Sequence, residues 1–426
     1  MYSIFHQTPS LLHTTSTLRC ARLGCMGYTT YTCPIAKRCG GCELLAVPYE
    51  LQLKRKHDAM EDLFYEVCAQ DDLAVEPIRG MEVPLAYRHK AATPFAPGSR
   101  STGGRMRCGF YERGTHRIVY CPECLVEAKG ARRILRDVAR VADELHISAY
   151  AEDRGRGVLR HAVVRMGYAT RDVLLTVVTN GPTLPHADRF VRRLCKLHPE
   201  LTTIVQNIND RRTNAILGTR NHTLFGPGIM HDRLLDCTFE IGPTSFYQTN
   251  PAQTEVLYRL ALEGAGVLHD DGTTATLLDA YCGTGTIGIC AAAAARTTGL
   301  SLHVTGVEQV SGAVGCARRN ARINELADTC HFACADATAW MADQRRATFD
   351  TVILDPPRAG STPEFLHGVS KLAPQRIVYV SCNPTTQVRD LAPLREAGYR
   401  VLRITPVDLF PHTKHVETVC VLKRRH

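Results

Sequence analysis

Three short segments of this chain carry side chains able to do chemistry at a carbon atom, and each adjoins a run of the strand-forming kind. Cys382 lies in Ser381-Cys382-Asn383-Pro384, after the apolar run Arg376–Val380. Most cysteines in apolar surroundings are buried and inert. One at a strand end can meet solvent and ligand, and a nearby cation such as Arg358 or Lys414 would favour its thiolate. Asp355 opens Asp355-Pro356-Pro357-Arg358, also after an apolar run. Glu417 follows Pro411-His412-Thr413-Lys414-His415-Val416, just before another; its plain alternative is a surface carboxylate.

A fourth segment suits a nucleotide-like ligand. Leu278-Asp279-Ala280-Tyr281-Cys282-Gly283-Thr284-Gly285 stands where a strand turns into a helix, and glycines there let a ligand approach the backbone. The next strand ends in Gly306-Val307-Glu308, an acid suited to a ribose hydroxyl pair. The segment lacks the G-x-G-x-x-G of a pyrophosphate site. An acid before the glycines favours a cationic ligand such as S-adenosylmethionine over NAD.

A thiolate, a base and a sulfonium site on one crevice are what methylation of a pyrimidine at C5 requires. C5 is too weak a nucleophile to attack a methyl sulfonium unaided. Thiolate addition at C6 turns the ring into an enolate and activates C5. A base then removes the C5 proton and the thiolate leaves. Cys382, Glu417 and the Asp279–Glu308 region supply a candidate for each part. The target base must be unpaired or out of its stack.

The elements that must position these residues are legible as an alternation. Leu277–Ala280, Val304–Val307, Thr351–Leu354 and Arg376–Val380 read as buried parallel strands, with helices expected over Ile287–Ala295, Ser311–Asn324, Phe365–Leu372 and Thr386–Ala397. The pattern predicts a doubly wound α/β sheet whose strand ends line one crevice, with Arg400–Thr405 and Glu417–Leu422 as an antiparallel edge. Before it, Tyr87 to Glu240 reads as strand-rich. One hairpin is expected over Leu159–Arg165 and Val173–Thr179, and a second over Thr203–Ile208 and Thr213–Leu217. Helices are expected over Ala128–Leu145, Ala187–Leu197 and Tyr49–Cys68, the last docking through Leu53, Met60, Leu63, Phe64 and Val67.

At 426 residues the chain is long enough for two or three domains. The divisions expected are a tail or upstream start over 1–32, a strand-rich region over 33–240 that binds RNA, and a catalytic domain over 241–426. Of the net charge of +9, much sits between Arg79 and Arg117, where eight Lys/Arg face two acids, Glu82 and Glu112. Such a block reads either as a solvated face or as a phosphate-binding one. No apolar run reaches the roughly 20 residues of a membrane span. The 18 cysteines are clustered rather than spread as in a secreted scaffold, so a reducing, cytoplasmic setting is expected.

Six ordered motifs resemble the tRNA/rRNA (uracil-5-)-methyltransferase family: Phe246-Tyr247-Gln248-Thr249-Asn250, Asp279–Gly285, Gly306–Glu308, Asp355–Arg358, Ser381–Pro384 and Pro411–Glu417. The resemblance implies a Rossmann-like class I methyltransferase domain at the C-terminus, behind a smaller strand-rich domain that carries a cysteine cluster. It also implies Cys382 as nucleophile and Glu417 as base. Contacts to S-adenosylmethionine would come from Gln248, Tyr281, Gly283, Glu308 and Asp355, with Asp336 on the adenine side. Cys33, Cys39 and Cys42 resemble the family's iron–sulfur ligands, with Cys124 as the fourth and Cys121 as its competitor. All-thiolate ligation suits a [4Fe–4S] cluster; the alternative is a four-cysteine zinc site.

Two features depart from the family: the segment before Cys33 is too short for the β-barrel RNA-binding domain some members carry, and His89 stands where asparagine is more usual. The cluster-bearing region resembles the ribosomal RNA members, so ribosomal RNA is the expected substrate ahead of transfer RNA, methylated by a monomer. An iron–sulfur redox protein with a nicotinamide site is the reading from another class, and the missing G-x-G-x-x-G counts against it.

Overall fold

The computed structural model describes residues 29–268 and 275–425, so the expected tail over 1–32 lies, as far as residue 28, outside the described residues. Cys33–Cys42 forms a tight loop around α1 (Ala36–Cys39). In α2 (Tyr49–Asp71) the buried positions include Gln52, Lys56, Met60, Phe64, Val67 and Asp71, one stripe at three- and four-residue spacing. Its apolar part packs into a core with Ile377 and Leu422 of the C-terminal sheet and Leu391 of a helix beside it.

The central region contains β1 (Lys90–Ala96), β2 (Arg107–Cys108), β3 (Phe110–Tyr111), β4 (Ile118–Val119) and α3 (Ala131–Glu144). There follow β5 (Leu159–Met166), β6 (Val173–Thr179), α4 (Ala187–Leu197), β7 (Thr203–Ile208) and β8 (Arg220–Phe225). They build a six-stranded sheet in the order β2-β1-β5-β6-β7-β8, while β3 and β4 pair with each other. Ile134, Leu135 and Val138 of α3 and Phe190 and Leu194 of α4 are buried against Leu175 and Val177 of β6.

The β5–β6 hairpin forms as expected. The second differs. The partner of β7 is Arg220–Phe225, not Thr213–Leu217. Asn209 donates through Nδ2 to the carbonyls of Ala215 (2.7 Å) and Ile216 (3.1 Å), and Asn207 to that of Gly218 (3.0 Å). Those side chains take acceptors a ladder would have used, and the segment becomes a loop.

The C-terminal region begins with the hairpin β9 (Met230–Leu234) and β10 (Cys237–Ile241), then α5 (Pro251–Ala265). The alternation proper is β11 (Thr276–Ala280), α6 (Thr286–Thr298), β12 (His303–Glu308), α7 (Ser311–Ile323), β13 (Cys330–Cys334), α8 (Ala337–Ala342) and β14 (Thr351–Leu354). It ends with α9 (Pro363–Leu372), β15 (Arg376–Ser381), α10 (Pro384–Glu396), β16 (Tyr399–Val407) and β17 (Glu417–Arg424).

The resulting seven-stranded sheet runs β13-β12-β11-β14-β15-β17-β16. Its first five strands are parallel, and β17 is antiparallel to both neighbours. Strand order reverses between β11 and β14, the switch point where such sheets open a ligand crevice. Among the described residues no helix is long and apolar enough to cross a membrane.

Candidate active site

The topology explains why residues far apart in sequence share one edge. Strands β11, β12, β14 and β15 bring their carboxyl ends to the crevice, delivering Asp279, Glu308, Asp355 and Cys382. Because β17 runs the other way, its first residue arrives at the edge where β15 finishes: Ser381 pairs with Thr418. Glu417 and Cys382 therefore meet from opposite chain directions.

Asp279 is almost fully buried and accepts a 2.9 Å hydrogen bond from the Gly288 N–H at the start of α6. Burial pushes its carboxyl up to about 7; that N–H pulls the other way, and the charges of Asp355 and Glu308 add to the rise. Burial also takes Asp355 up to about 7. Asp279 thus shares its crevice with two acids that disfavour its charge, an arrangement a cationic ligand relieves. Glu308 accepts from the Val310 N–H at 2.7 Å.

The turn between β11 and α6 leaves room for that ligand. Gly283 has φ +56° and nothing within 4 Å of where a Cβ would stand. At Gly306 a Cβ would meet the Phe332 ring at 2.5 Å, so this strand end has no space for a side chain. Tyr281 adopts φ +64°, a left-handed conformation costing a non-glycine residue roughly 1–2 kcal/mol. Its ring rests on Phe365, centroids 4.7 Å apart, and its hydroxyl feels the charge of Asp336. Asp336 is exposed and caps α8, accepting from the Ala339 N–H at 3.0 Å. Gln248 borders a separate small cavity with Lys90, Arg165 and Tyr247, which none of the crevice acids lines.

Cys382 is half-buried. Burial raises its thiol pKa first, then the charges of Glu417 and Asp355, while Arg358 lowers it by charge and by a hydrogen bond. Glu417 is buried, its carboxyl pushed up to about 8 by burial and by Asp355, again opposed by Arg358. Thiol, carboxylate and guanidinium therefore act on one another in one place. The turn holding Cys382 is fixed locally: Ser381 Oγ accepts from the Asn383 N–H at 3.1 Å, and Asn383 Nδ2 donates to the Arg358 carbonyl at 3.0 Å.

Comparison with known proteins fits this geometry. The family model described as tRNA (Uracil-5-)-methyltransferase matches residues 233–425. An uncharacterized RNA methyltransferase of Halalkalibacterium halodurans is 39% identical over 92% of this chain and 83% of its own length. The chain belongs to the S-adenosylmethionine-dependent RNA methyltransferases of this uracil-5 family. A Bacillus cereus member, also named as an uncharacterized RNA methyltransferase, is 38% identical over 92% of the chain and 82% of its own length. Among solved structures, the Pyrococcus abyssi tRNA (uracil-54, C5)-methyltransferase in complex with S-adenosyl-L-homocysteine superposes with TM-score 0.72. It is 29% identical and covers 90% of this chain and 85% of its own.

Within this methyltransferase, the residues that hold Glu417 in place escaped sequence reasoning. Lys56 Nζ lies 2.6 Å from Asp408 Oδ1, both side chains buried, and Tyr49 donates its hydroxyl to Asp408 Oδ2 at 2.7 Å. Gln52 Oε1 accepts from the His412 N–H at 3.0 Å, and His412 Nε2 lies 2.8 Å from the Pro84 carbonyl. The stretch 408–412 leading to Glu417 is thus bolted to α2. The available signal was polar: Gln52 and Lys56 continue the stripe of Met60, Phe64 and Val67.

The expected cluster residues gather beside this anchor. Burial pushes the Cys42 thiol up to about 12; the charge of Cys124 adds to this, Arg88 opposes it, and Cys39 and Cys33 add further. Burial likewise pushes the Cys121 thiol up to about 12, opposed by Arg132, with the charges of Cys124 and Cys33 adding to the rise, and this thiol also donates to the Glu123 carbonyl at 2.9 Å within its own turn. Among the described residues no three His, Cys, Asp or Glu side chains are close enough to grip a single metal ion.

Proposed function

We propose that this methyltransferase transfers the methyl group of S-adenosylmethionine to C5 of a uridine in ribosomal RNA, through a covalent bond between Cys382 and C6. The observation that carries the reading is that Cys382 feels the charge of Glu417 and that Arg358 acts on both, beside the acids of the β11–β14 switch point. Bound S-adenosylmethionine supplies the electrophilic methyl. Asp279 and Asp355 would balance its positive charge, Glu308 would take the ribose hydroxyls and Asp336 the adenine side. Tyr281, Gly283 and Gln248 would shape the rest of the pocket.

Arg358 favours the Cys382 thiolate, which adds to C6; C5 then takes the methyl group. Glu417 removes the C5 proton, the C5=C6 bond re-forms and Cys382 leaves as thiolate. For Glu417 to be the base it must be ionised, which its position beside a cationic donor favours.

The division of labour we infer places RNA binding in 33–240 and methyl transfer in 241–426. Transfer RNA is the second reading, favoured by the named substrate of the Pyrococcus abyssi enzyme. We further propose that Cys33, Cys39, Cys42 and Cys124 hold a [4Fe–4S] cluster, supported by the charges of Cys124, Cys39 and Cys33 acting on the Cys42 thiol against that of Arg88. Its role would be structural, tying the loop at 33–42 to that at 121–124.

The test is incubation of the purified protein with methyl-labelled S-adenosylmethionine and, separately, undermodified ribosomal and transfer RNA. The reading expects 5-methyluridine in the ribosomal RNA and none with Cys382→Ala. Label in any other nucleoside contradicts the chemistry; 5-methyluridine in transfer RNA alone moves the substrate to the second reading.

A further inference from the structure

A cavity of about 650 Å³ opens in the central region, lined by none of the residues assigned above to the methyl donor, the nucleophile or the base. It lies among the end of β1, the β3–β4 hairpin, the turn at 150–153, the start of β5 and the loop at 213–216. Its volume falls within the roughly 300–1,000 Å³ of ligand pockets.

The lining is aromatic. The Tyr111 and His116 rings stack at 4.9 Å with 24° between planes, and His116 Nδ1 lies 2.7 Å from Glu152, which fixes the imidazole. Tyr150 forms a further wall, with the Arg160 guanidinium 4.7 Å from its ring centroid. Among the described residues, two polar atoms of this wall have no partner: Arg160 Nε, on a side chain only 6% exposed, and His161 Nδ1. Unpaired buried polar groups are costly, so those in a pocket wall suit a ligand that pairs with them.

Charge selects the kind of ligand. Arg107 lines the cavity, and in sequence Arg100, Arg105, Arg113 and Arg117 belong to the same basic block. Glu152 and Asp153 also line the cavity and repel a phosphate within it. A ligand with a flat, uncharged, hydrogen-bonding ring inside and phosphates at the rim meets both conditions. We propose that this cavity holds one unpaired nucleobase of the RNA substrate, stacked on the Tyr111–His116 pair, as an anchoring site separate from the base that is methylated. The proposal deepens the RNA-methylation reading and rests on it for the class of ligand. The hairpin carrying Tyr111 is tied to the cysteine loop, because Glu112 accepts from Arg38 at 3.0 Å and also pairs with Arg117. An anchored nucleotide would therefore be registered against the rest of the protein.

The test uses the full-length protein and a single-stranded 12-residue RNA of mixed sequence, carrying 2-aminopurine for stacking and a fluorescein for affinity. Binding should quench the 2-aminopurine. His116→Ala and, independently, Ile216→Asp in the exposed loop should weaken RNA binding roughly five- to hundredfold, the range for loss of one base–aromatic stack. Both should leave S-adenosylhomocysteine affinity and the melting temperature as in the unsubstituted protein, which separates a lost contact from a lost fold. Tyr111→Phe, which keeps the ring, should retain the affinity that Tyr111→Leu loses. Affinities within twofold of the parent for His116→Ala and Ile216→Asp, or no quenching, would overturn the proposal even if 5-methyluridine is still formed. Weakened RNA binding with no 5-methyluridine from any RNA would keep the pocket and refute the catalytic reading.

Discussion

Lys56 and Asp408 form a buried ion pair at 2.6 Å between the first long helix and the stretch that leads to Glu417. Burial lowers the Lys56 pKa, and only the carboxylate beside it works in the opposite direction. Neither charge tolerates loss of the other. The stretch that leads to Glu417 thus depends on a helix more than 340 residues earlier in the chain.

Lys56→Met should therefore destabilise the protein by about 3–5 kcal/mol, the usual penalty for stranding a buried charge. Lys56→Met with Asp408→Leu should cost less than the single change, because no charge is left unpaired. Urea denaturation of the three proteins measures this. A single variant as stable as the parent would mean that the pair does not anchor the loop.

The acids of the crevice predict a pH dependence. Asp279 and Asp355 at about 7 and Glu417 at about 8 lie well above the roughly 4 of an unfolded carboxyl. The folded, ligand-free protein binds more protons than the unfolded chain between those limits. Its stability from these groups is therefore lost as pH rises through 7 to 8. A cationic ligand prefers the ionised acids, so S-adenosylmethionine should bind at least about fivefold tighter at pH 8 than at pH 6, releasing protons as it does. Calorimetry in buffers of different ionisation heat reads both quantities. Affinity independent of pH, with no proton release, would remove the acids from the donor site.

The cysteine loop makes a separate prediction. Anaerobically purified protein should carry about four irons and visible absorbance, lost in Cys124→Ser and kept in Cys121→Ser, whose parent thiol is engaged with Glu123. Iron and absorbance analysis of the three proteins distinguishes the two positions. Loss in Cys121→Ser with retention in Cys124→Ser would reverse the assignment.

Much of the catalytic half was legible because buried parallel strands are local apolar runs, and their ends carry residues that break such runs: Gly283, Pro356, Pro384. What no local pattern could reveal is the order of strands. That Glu417 would stand beside Cys382 depends on β17 entering antiparallel between β15 and β16, a non-local choice. The second central hairpin was misread for a related reason, since Asn207 and Asn209 bind backbone across the loop instead of letting a ladder close. On α2, nothing local marks Lys56 as buried, because its partner, Asp408, lies 352 residues further along the chain. The cavity beside Tyr111 is assembled from six separate segments, and only the basic block to which its Arg107 belongs is legible in the sequence.

The most direct measurement concerns the adduct itself. Glu417→Gln keeps the shape of the side chain but cannot take the C5 proton, so the Cys382–C6 bond, once formed, should persist. Mixed with S-adenosylmethionine and undermodified RNA, this variant should yield a protein–RNA species that survives a denaturing gel and carries one transferred methyl per RNA. The species should vanish when Cys382→Ala is added. Full turnover by Glu417→Gln, or a stable species that remains without Cys382, would contradict the account.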